Sequence, residues 1–312
     1  MDTSPVRPPG PETTGRRISV RFRTDDGGAS DVVGRVIGTA PALRLERRDG
    51  TVASVDPATV LIWRLVPDRP VRTRRATATP VDRLARIASL GWPAAETHAL
   101  DGWELRASGG FTKRANSAAA FGPPEQPLAD ALAEVTGFYR DRGLAPLVQV
   151  ETDSPVDQQI RRDHHWRPVP GGDTLVHVAQ LDRRWPVSGD LTITAAPDTA
   201  WLDAYGPPAT HRAAALAVLS GPPAAAHLRL GGAVARVVVT GEWAGLSALR
   251  VPEEHRRSGL GRRLVTACLG WAVEHGADKA YVQVTLGNEA AERLYRSFGF
   301  VDHHAYRYLT PG

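Results

Sequence analysis

The stretch that decides the fold is Val251-Pro252-Glu253-Glu254-His255-Arg256-Arg257-Ser258-Gly259-Leu260-Gly261-Arg262-Arg263-Leu264. The apolar run before it, Ala244 to Val251, reads as a strand, and Leu260 to His275 reads as a helix. Gly259 and Gly261 fall in the turn between them. Glycine lets a backbone approach a ligand closely, and the free N–H groups of a helix start favour negative charge. The spacing Arg-x-x-Gly-x-Gly therefore describes an anion-binding turn. Arg257, Arg262 and Arg263 lie in the same turn, and arginine meets phosphate with bidentate, charge-assisted bonds.

Upstream of this turn, Asp190 to Ala195 reads as a strand, and Thr199 to Tyr205 and Thr210 to Leu219 as short helices. Three strands follow, Ala225 to Leu230, Ala233 to Thr240 and Gly245 to Val251. Downstream come a strand at Ala280 to Thr285, a helix at Glu289 to Ser297 and a strand at His303 to Leu309. Strands first, then alternation with helices, implies an α/β fold with a mixed sheet.

Part of this pattern occurs twice. Leu147-Val148-Gln149-Val150 followed by Gln158 to Trp166 lies over Tyr281-Val282-Gln283-Val284 followed by Glu292 to Phe300, without a gap. A helix precedes each strand, at 128–142 and at 262–275. The copies differ where chemistry would sit. Pro123-Pro124-Glu125-Gln126-Pro127 replaces the glycine turn, Ser154 replaces Asn288, and Arg161 replaces Tyr295. The first copy thus reads as a degenerate half.

These motifs, in this order, resemble the GNAT N-acetyltransferase superfamily. The glycine turn resembles its acetyl-CoA pyrophosphate loop, and Leu294-Tyr295-Arg296-Ser297-Phe298-Gly299-Phe300 resembles its Leu-Tyr-x-x-x-Gly-Phe signature. The resemblance is specific from about Gly245 to Phe300 and looser over 98–181. It implies a tandem GNAT chain whose second half binds acetyl-CoA as cosubstrate. Backbone groups of Leu249, Arg250 and Val251 would hold the pantetheine arm. Arg256, Arg257, Ser258, Gly259, Leu260, Gly261 and Arg262 would surround the pyrophosphate. Asn288 reads as a helix N-cap, and by resemblance also touches the CoA arm. Tyr295 would return a proton to the departing thiolate.

The general base is harder to read. Glu242, just before the strand at 245–251, is the best-placed acid; Glu253 and Glu254 read as solvated. His211, His227 and His255 are alternatives, although a lone histidine is usually structural. No His, Asp or Glu group has metal-ligand spacing, and no metal is expected. The reaction implied is direct acetyl transfer to a primary amine, on a small molecule or a protein. Two other readings are a non-catalytic acyl-CoA-binding regulator and an acceptor of the amino-sugar kind used by mycothiol synthase.

The N-terminal block is of another type. Residues 1–15 are Pro-rich and read as a disordered tail. Ile18, Val20 and Phe22 alternate with polar residues, and four more short strands follow to Leu65, with turns at Asp25-Asp26-Gly27-Gly28 and Asp49-Gly50. This block, 16–67, resembles a small SH3-like β-barrel, inert or used to dock a partner. A linker at 68–80 leads to the degenerate half at 81–183 and the catalytic GNAT domain at 184–312.

Composition sets outer bounds. Of 312 residues, 42% are hydrophobic, which supports sizeable cores. The net charge is +4 and the pI about 9.6. Only Lys113 and Lys279 are lysines among 38 basic residues, and no basic stripe is interleaved with aromatics, so nucleic acid is not an expected partner. Cys268 is the only cysteine and excludes an intrachain disulfide. No apolar run reaches membrane-spanning length, and a cytoplasmic protein is expected.

Overall fold

The computed structural model describes residues 8–24, 27–47, 51–66, 75–181, 185 and 190–312. The expected turn residues Asp25, Asp26, Asp49 and Gly50 lie outside these, as do 1–7 of the expected tail and 68–74 of the expected linker. The chain divides into two compact units, Met1–Thr73 and Arg74–Gly312.

The first unit is a five-stranded antiparallel sheet: β1 (Arg17–Arg23), β2 (Ala29–Gly38), β3 (Leu43–Glu46), β4 (Val52–Val55) and β5 (Val60–Leu65), in the order 4-3-2-1-5. Ile18, Val20, Val32, Val36, Leu43 and Leu45 alternate inward and form its core. The closed barrel that was expected is not seen: among the described residues β4 and β5 share no ladder. The described end of the expected tail departs from disorder as well. Pro11–Thr13 form a 3-10 turn, Thr13 is buried, and the Gly15 N–H donates to the Val36 carbonyl at 2.8 Å. Proline at the first helical position needs no N–H donor there, which is why this Pro-rich stretch can still form a turn.

The second unit begins with a 3-10 turn at Ala76–Ala78, inside the stretch read as a linker, where Ala76 is buried. Helix α1 (Val81–Gly91) follows, then β6 (Glu96–Leu100) and β7 (Trp103–Ala107). One strand was expected over 97–107. Asp101 and Gly102, at φ 44° and 83°, instead turn it into a tight hairpin. Next come β8 (Ala118–Ala119), α2 (Leu128–Arg140), β9 (Val148–Glu151), α3 (Pro155–Asp163), the two-residue β10 (Arg167–Pro168) and β11 (Thr174–Gln180). The strand expected at 115–121 shrinks to β8 because Asn116 ties its approach into a loop. The Asn116 Oδ1 accepts from the N–H groups of Ser108 and Gly110, and its Nδ2 donates to the carbonyls of Phe111 and Thr112.

The remainder is β12 (Thr192–Thr194), α4 (Thr199–Tyr205), α5 (Arg212–Ser220), β13 (Ala225–Leu230), β14 (Ala233–Thr240), β15 (Trp243–Arg250), α6 (Leu260–Glu274), β16 (Lys279–Thr285), α7 (Glu289–Arg296) and β17 (Val301–Thr310). The repeat is visible in the pairing. β8 runs parallel to β9, and β15 parallel to β16, with α2 and α6 as the connections. Each parallel strand leads into a helix capped by a side chain: Ser154 Oγ accepts from the Asp157 N–H, and Asn288 Oδ1 from the Ala291 N–H.

The two halves share one sheet, ordered 12-13-14-15-16-11-17-9-8-7-6. β11, from the first half, pairs with β16 of the second. β17, from the second half, pairs with β9 of the first. Each half therefore completes its parallel pair with a strand from the other. A fragment comprising 184–312 would leave β16 without β11 and β17 without either neighbour. It is expected to aggregate or to unfold without cooperativity, and co-expression with 75–183 to restore a soluble species. Size-exclusion chromatography and circular-dichroism melts check this.

Candidate active site

The site begins where two parallel strands part. β15 and β16 pair from Trp243 with Lys279 to Leu246 with Val282 and no further. Beyond that point β16 stays in register with β11 out to Thr285, while β15 bulges. Against β14, Ser247 faces Arg236 and Arg250 faces Val234, so three steps on β15 match two on its neighbour. Ala248 sits at φ 53°, in the left-handed region. A bulge of this kind bends and twists its strand. It leaves Leu249, Arg250 and Val251 without a ladder partner on the β16 side. The Arg250 guanidinium turns back to the Tyr205 carbonyl.

The glycine turn follows directly. A 3-10 turn at Glu253–His255 leads to Arg256 in extended backbone, Arg257 at φ 61° and Gly259 at φ 86°. The Ser258 hydroxyl donates to the His255 carbonyl at 2.6 Å. Helix α6 then starts at Leu260 with no side-chain cap and no acidic residue in its first turn. The N–H of Arg263 is the first to find a helical acceptor, the Gly259 carbonyl at 3.0 Å. The preceding N–H groups carry the positive end of the helix dipole without a protein partner. Arg256, Arg257 and Arg263 have no ion-pair partner among the described residues. Arg262 is engaged: it donates to the Ser297 Oγ at 2.9 Å and lies 5.0 Å from the Phe298 ring centre. An uncapped, acid-free, arginine-lined helix start fits an anionic pyrophosphate.

Tyr295 is buried in the core of the second half, its ring 5.6 Å from that of Phe300. Burial, with Cys268 beside it, pushes its phenol well above the ordinary value, so it is protonated at neutral pH. Asn288 is exposed and caps α7.

Glu242 is not brought to this place. It precedes the first residue of β15, whereas the glycine turn follows the last. Eight residues of strand separate them, about 25 Å at the usual rise. Its carboxylate lies 3.0 Å from the Nζ of buried Lys279 and 4.0 Å from Arg83. Glu242 thus neutralises a buried lysine at the end of β15 away from the glycine turn. The histidine alternatives are also elsewhere. His255 is exposed in the loop, His211 lies near Gly110, and His227 is buried edge-on to Trp201.

Beside the splay of β15 and β16 opens a cleft of about 360 Å³. Trp92, Lys113, Arg114 and Thr174 line it from the first half, and Ser247, Gln283, Tyr306 and Tyr308 from the second. Burial opposes ionisation of Tyr306, but the Arg114 charge next to it pulls the phenol below its ordinary value. Burial and its neighbour Tyr306 push Tyr308 well above.

The family described as "Probable histone acetyltransferase Rv0428c C-terminal" matches residues 78–309. The chain belongs to that family. A protein of Mycobacterium tuberculosis named "Probable histone acetyltransferase Rv0428c" is 33% identical over 95% of this chain and 94% of its own length. The Bacillus subtilis protein named "Uncharacterized N-acetyltransferase YobR" is 28% identical over 73% of this chain and 98% of its own. Among solved structures, a GCN5-related N-acetyltransferase from Kribbella flavida superposes with a TM-score of 0.53 at 17% identity, covering 74% of this chain and 96% of that one. The protein is a GNAT-type N-acetyltransferase, and proteins of this fold use acetyl-CoA. No helix among the described residues is long and apolar enough to cross a membrane.

Sequence reading missed the cleft. Lys113 and Arg114 sit in what reads as an unremarkable turn, and nothing local indicates that β17 carries Tyr306 and Tyr308 to meet them. Ala248 hid the bulge, because the one signal for it would have been a glycine.

The buried His227 sets a pH dependence. Burial, then the Arg236 charge, lowers its pKa from 6.5 to about 4. The unfolded imidazole binds a proton between those values and the folded one does not. Stability is therefore full above about pH 6.5 and is lost as pH falls toward about 4, by up to about 3 kcal/mol from this group. Burial, then the His303 charge, likewise lowers His304 to about 4, so urea unfolding across that range is expected to show a slope from both groups, and His227→Gln to reduce it without removing it.

Proposed function

We propose that the chain transfers an acetyl group from acetyl-CoA to a primary amine within a ternary complex. The observation that carries this reading is the uncapped, arginine-lined start of α6, placed directly after the bulge that parts β15 from β16. The bound cosubstrate supplies the acetyl group as an activated thioester. Free backbone groups of Leu249, Arg250 and Val251 align its arm as an added strand would. The N–H groups from Arg257 to Arg262, with the side chain of Arg256, hold the pyrophosphate, and Asn288 lies where it can meet the arm. The protonated Tyr295 serves as the acid for the departing thiolate. Positioning and charge stabilisation then carry most of the rate.

In this reading the catalytic half is 184–312 and the half at 81–183 is degenerate. The first half keeps a cavity of about 360 Å³ between α1, β9 and α3. However, α2 starts at Leu128, directly after Pro127 and behind Pro123 and Pro124, with no glycine turn to receive phosphates. Calorimetry is expected to give one CoA per chain, and a second site of similar affinity would contradict the assignment. The first unit, 16–67, serves as a packing or docking module, and a cytoplasmic location fits the cosubstrate. The name of the mycobacterial relative keeps a protein amine among the candidate acceptors beside small amines.

The cleft is lined by no carboxylate and no imidazole among the described residues. Apart from the Tyr306 phenol, which Arg114 lowers, no lining group can take the acceptor's proton, so an apparent pKa of the rate that follows the acceptor's amine from one acceptor to another means the amine sheds its proton unaided, and one that stays fixed points to Tyr306. Thiol release from acetyl-CoA with a panel of amines measures both the activity and this pH profile. Tyr295→Phe is expected to lower kcat by about 10²-fold or more while KM for acetyl-CoA changes little. An unchanged rate with an unchanged pH profile would remove Tyr295 from the mechanism.

A further inference from the structure

The cleft beside the splay is positively charged and has no acidic wall. Lys113 and Arg114 line it, and Arg236 on β14 stands behind. The Arg114 and Arg236 guanidinium carbons each lie 5.3 Å from the Trp92 ring centre, so two like charges share one indole. Neither has a carboxylate within ion-pair distance among the described residues; Arg114 faces the Tyr306 and Tyr308 phenols instead. Arg236 is fully buried. Its Nε donates to the Leu219 carbonyl at 3.2 Å. Its Nη1 donates to the Gly91 carbonyl at 2.9 Å and reaches the Ser247 Oγ in the cleft wall at 3.4 Å. Its Nη2 is buried and has no partner, and neither has the Arg114 Nε.

The two other fully buried Lys and Arg side chains among the described residues are satisfied. Lys279 meets Glu242 and Asp278. Arg106 donates from Nε and both Nη groups to Ser117, Ser89 and Gln149. A buried cation left with free donors beside a second cation is costly unless an anion arrives. The loop that presents Lys113 and Arg114 is also built to hold still. Asn116 fastens it with four hydrogen bonds, and the Trp92 indole N–H donates to the Thr112 Oγ at 3.1 Å. Thr112 is held at φ 60°.

Resting on the acetyl-transfer reading above, we propose that the acceptor is a small amine that carries an oxyanion, a carboxylate or a phosphate, which docks on Arg114 and Lys113 and directs the amine toward Ser247 at the splay. The arginine fork matches either oxyanion. The same charges repel a lysine flanked by other basic residues, so a basic peptide tail is a poor occupant. Arg236 supports the arrangement from behind through Ser247 and the Trp92 ring.

The test is calorimetry on the CoA-loaded protein with matched pairs: lysine against cadaverine, and a hexosamine phosphate against the free hexosamine, with a lysine-rich peptide alongside. The anionic member is expected to bind at least about 10-fold tighter, the scale of one charged hydrogen bond. A preference in the first pair alone identifies a carboxylate, in the second alone a phosphate, and each supports the proposal. Arg114→Gln should abolish the preference and leave CoA affinity unchanged. Lys113→Gln, at an exposed position, should weaken the preference even if the Arg114 variant fails to fold. No preference in either pair, tighter binding of the peptide, or a preference that survives both substitutions overturns the proposal. Because binding is read without turnover, loss of thiol release with the preference intact counts against the transfer reading alone.

Discussion

The structure depends on the exchange of two strands. β11 lies between β16 and β17, and β17 between β11 and β9. Parallel strands cannot be joined by a short turn, so each parallel pair needs its connecting helix. Each then presents an open edge that must be covered. Here the cover for each half's edge comes from the other half. The backbone bonds of β11 and β17 are therefore satisfied only when both halves are present. Val176, Val178, Tyr306 and Tyr308 pack with Trp243 and Tyr281 into a core shared across the join.

That exchange also builds the cleft. Thr174 stands at the start of β11, and Tyr306 and Tyr308 near the end of β17, so the wall of the cleft is made from the exchanged strands. The loop bearing Lys113 and Arg114 reaches the same opening because β8 follows it and runs beside β9, the next strand across from β17. The half without the glycine turn thereby lends charge and shape to the cleft, and the other half holds the uncapped start of α6.

Much of the second half is legible in the residues because its signals are local. The glycine turn, the Asn288 cap and the apolar periodicity of α6 and α7 each act within a few residues of one another. The internal repeat is legible for the same reason: Val148-Gln149-Val150 and Val282-Gln283-Val284 lead into helices of matching phase. The Asp101-Gly102 hairpin was also readable, since Asp-Gly is a strong turn signal that the surrounding apolar pattern masked. What depends on partners distant in sequence was not. No property of Thr174 to Gln180 states that its neighbour is β16, and Glu242 looked catalytic only because the lysine that claims it lies 37 positions later. Of the barrel expectation only the small five-stranded sheet is seen among the described residues, since closure is a pairing between strands and leaves no mark within either.

The two helix starts show how one duplicated frame was divided. At α6, Gly259 takes a left-handed conformation that costs other residues energy, and the N–H groups beyond it face outward without protein acceptors. At α2, Pro127 stands before the helix and carries no N–H, and the Gln126 N–H is turned to the Asp101 carboxylate at 3.3 Å. Neither start has a side-chain cap, but the first is lined by arginines with no acid in its opening turn, whereas the second carries Asp130 there. Unsatisfied donors are stable only if water or a ligand meets them, and at α6 the arginines beside them favour an anion in that place.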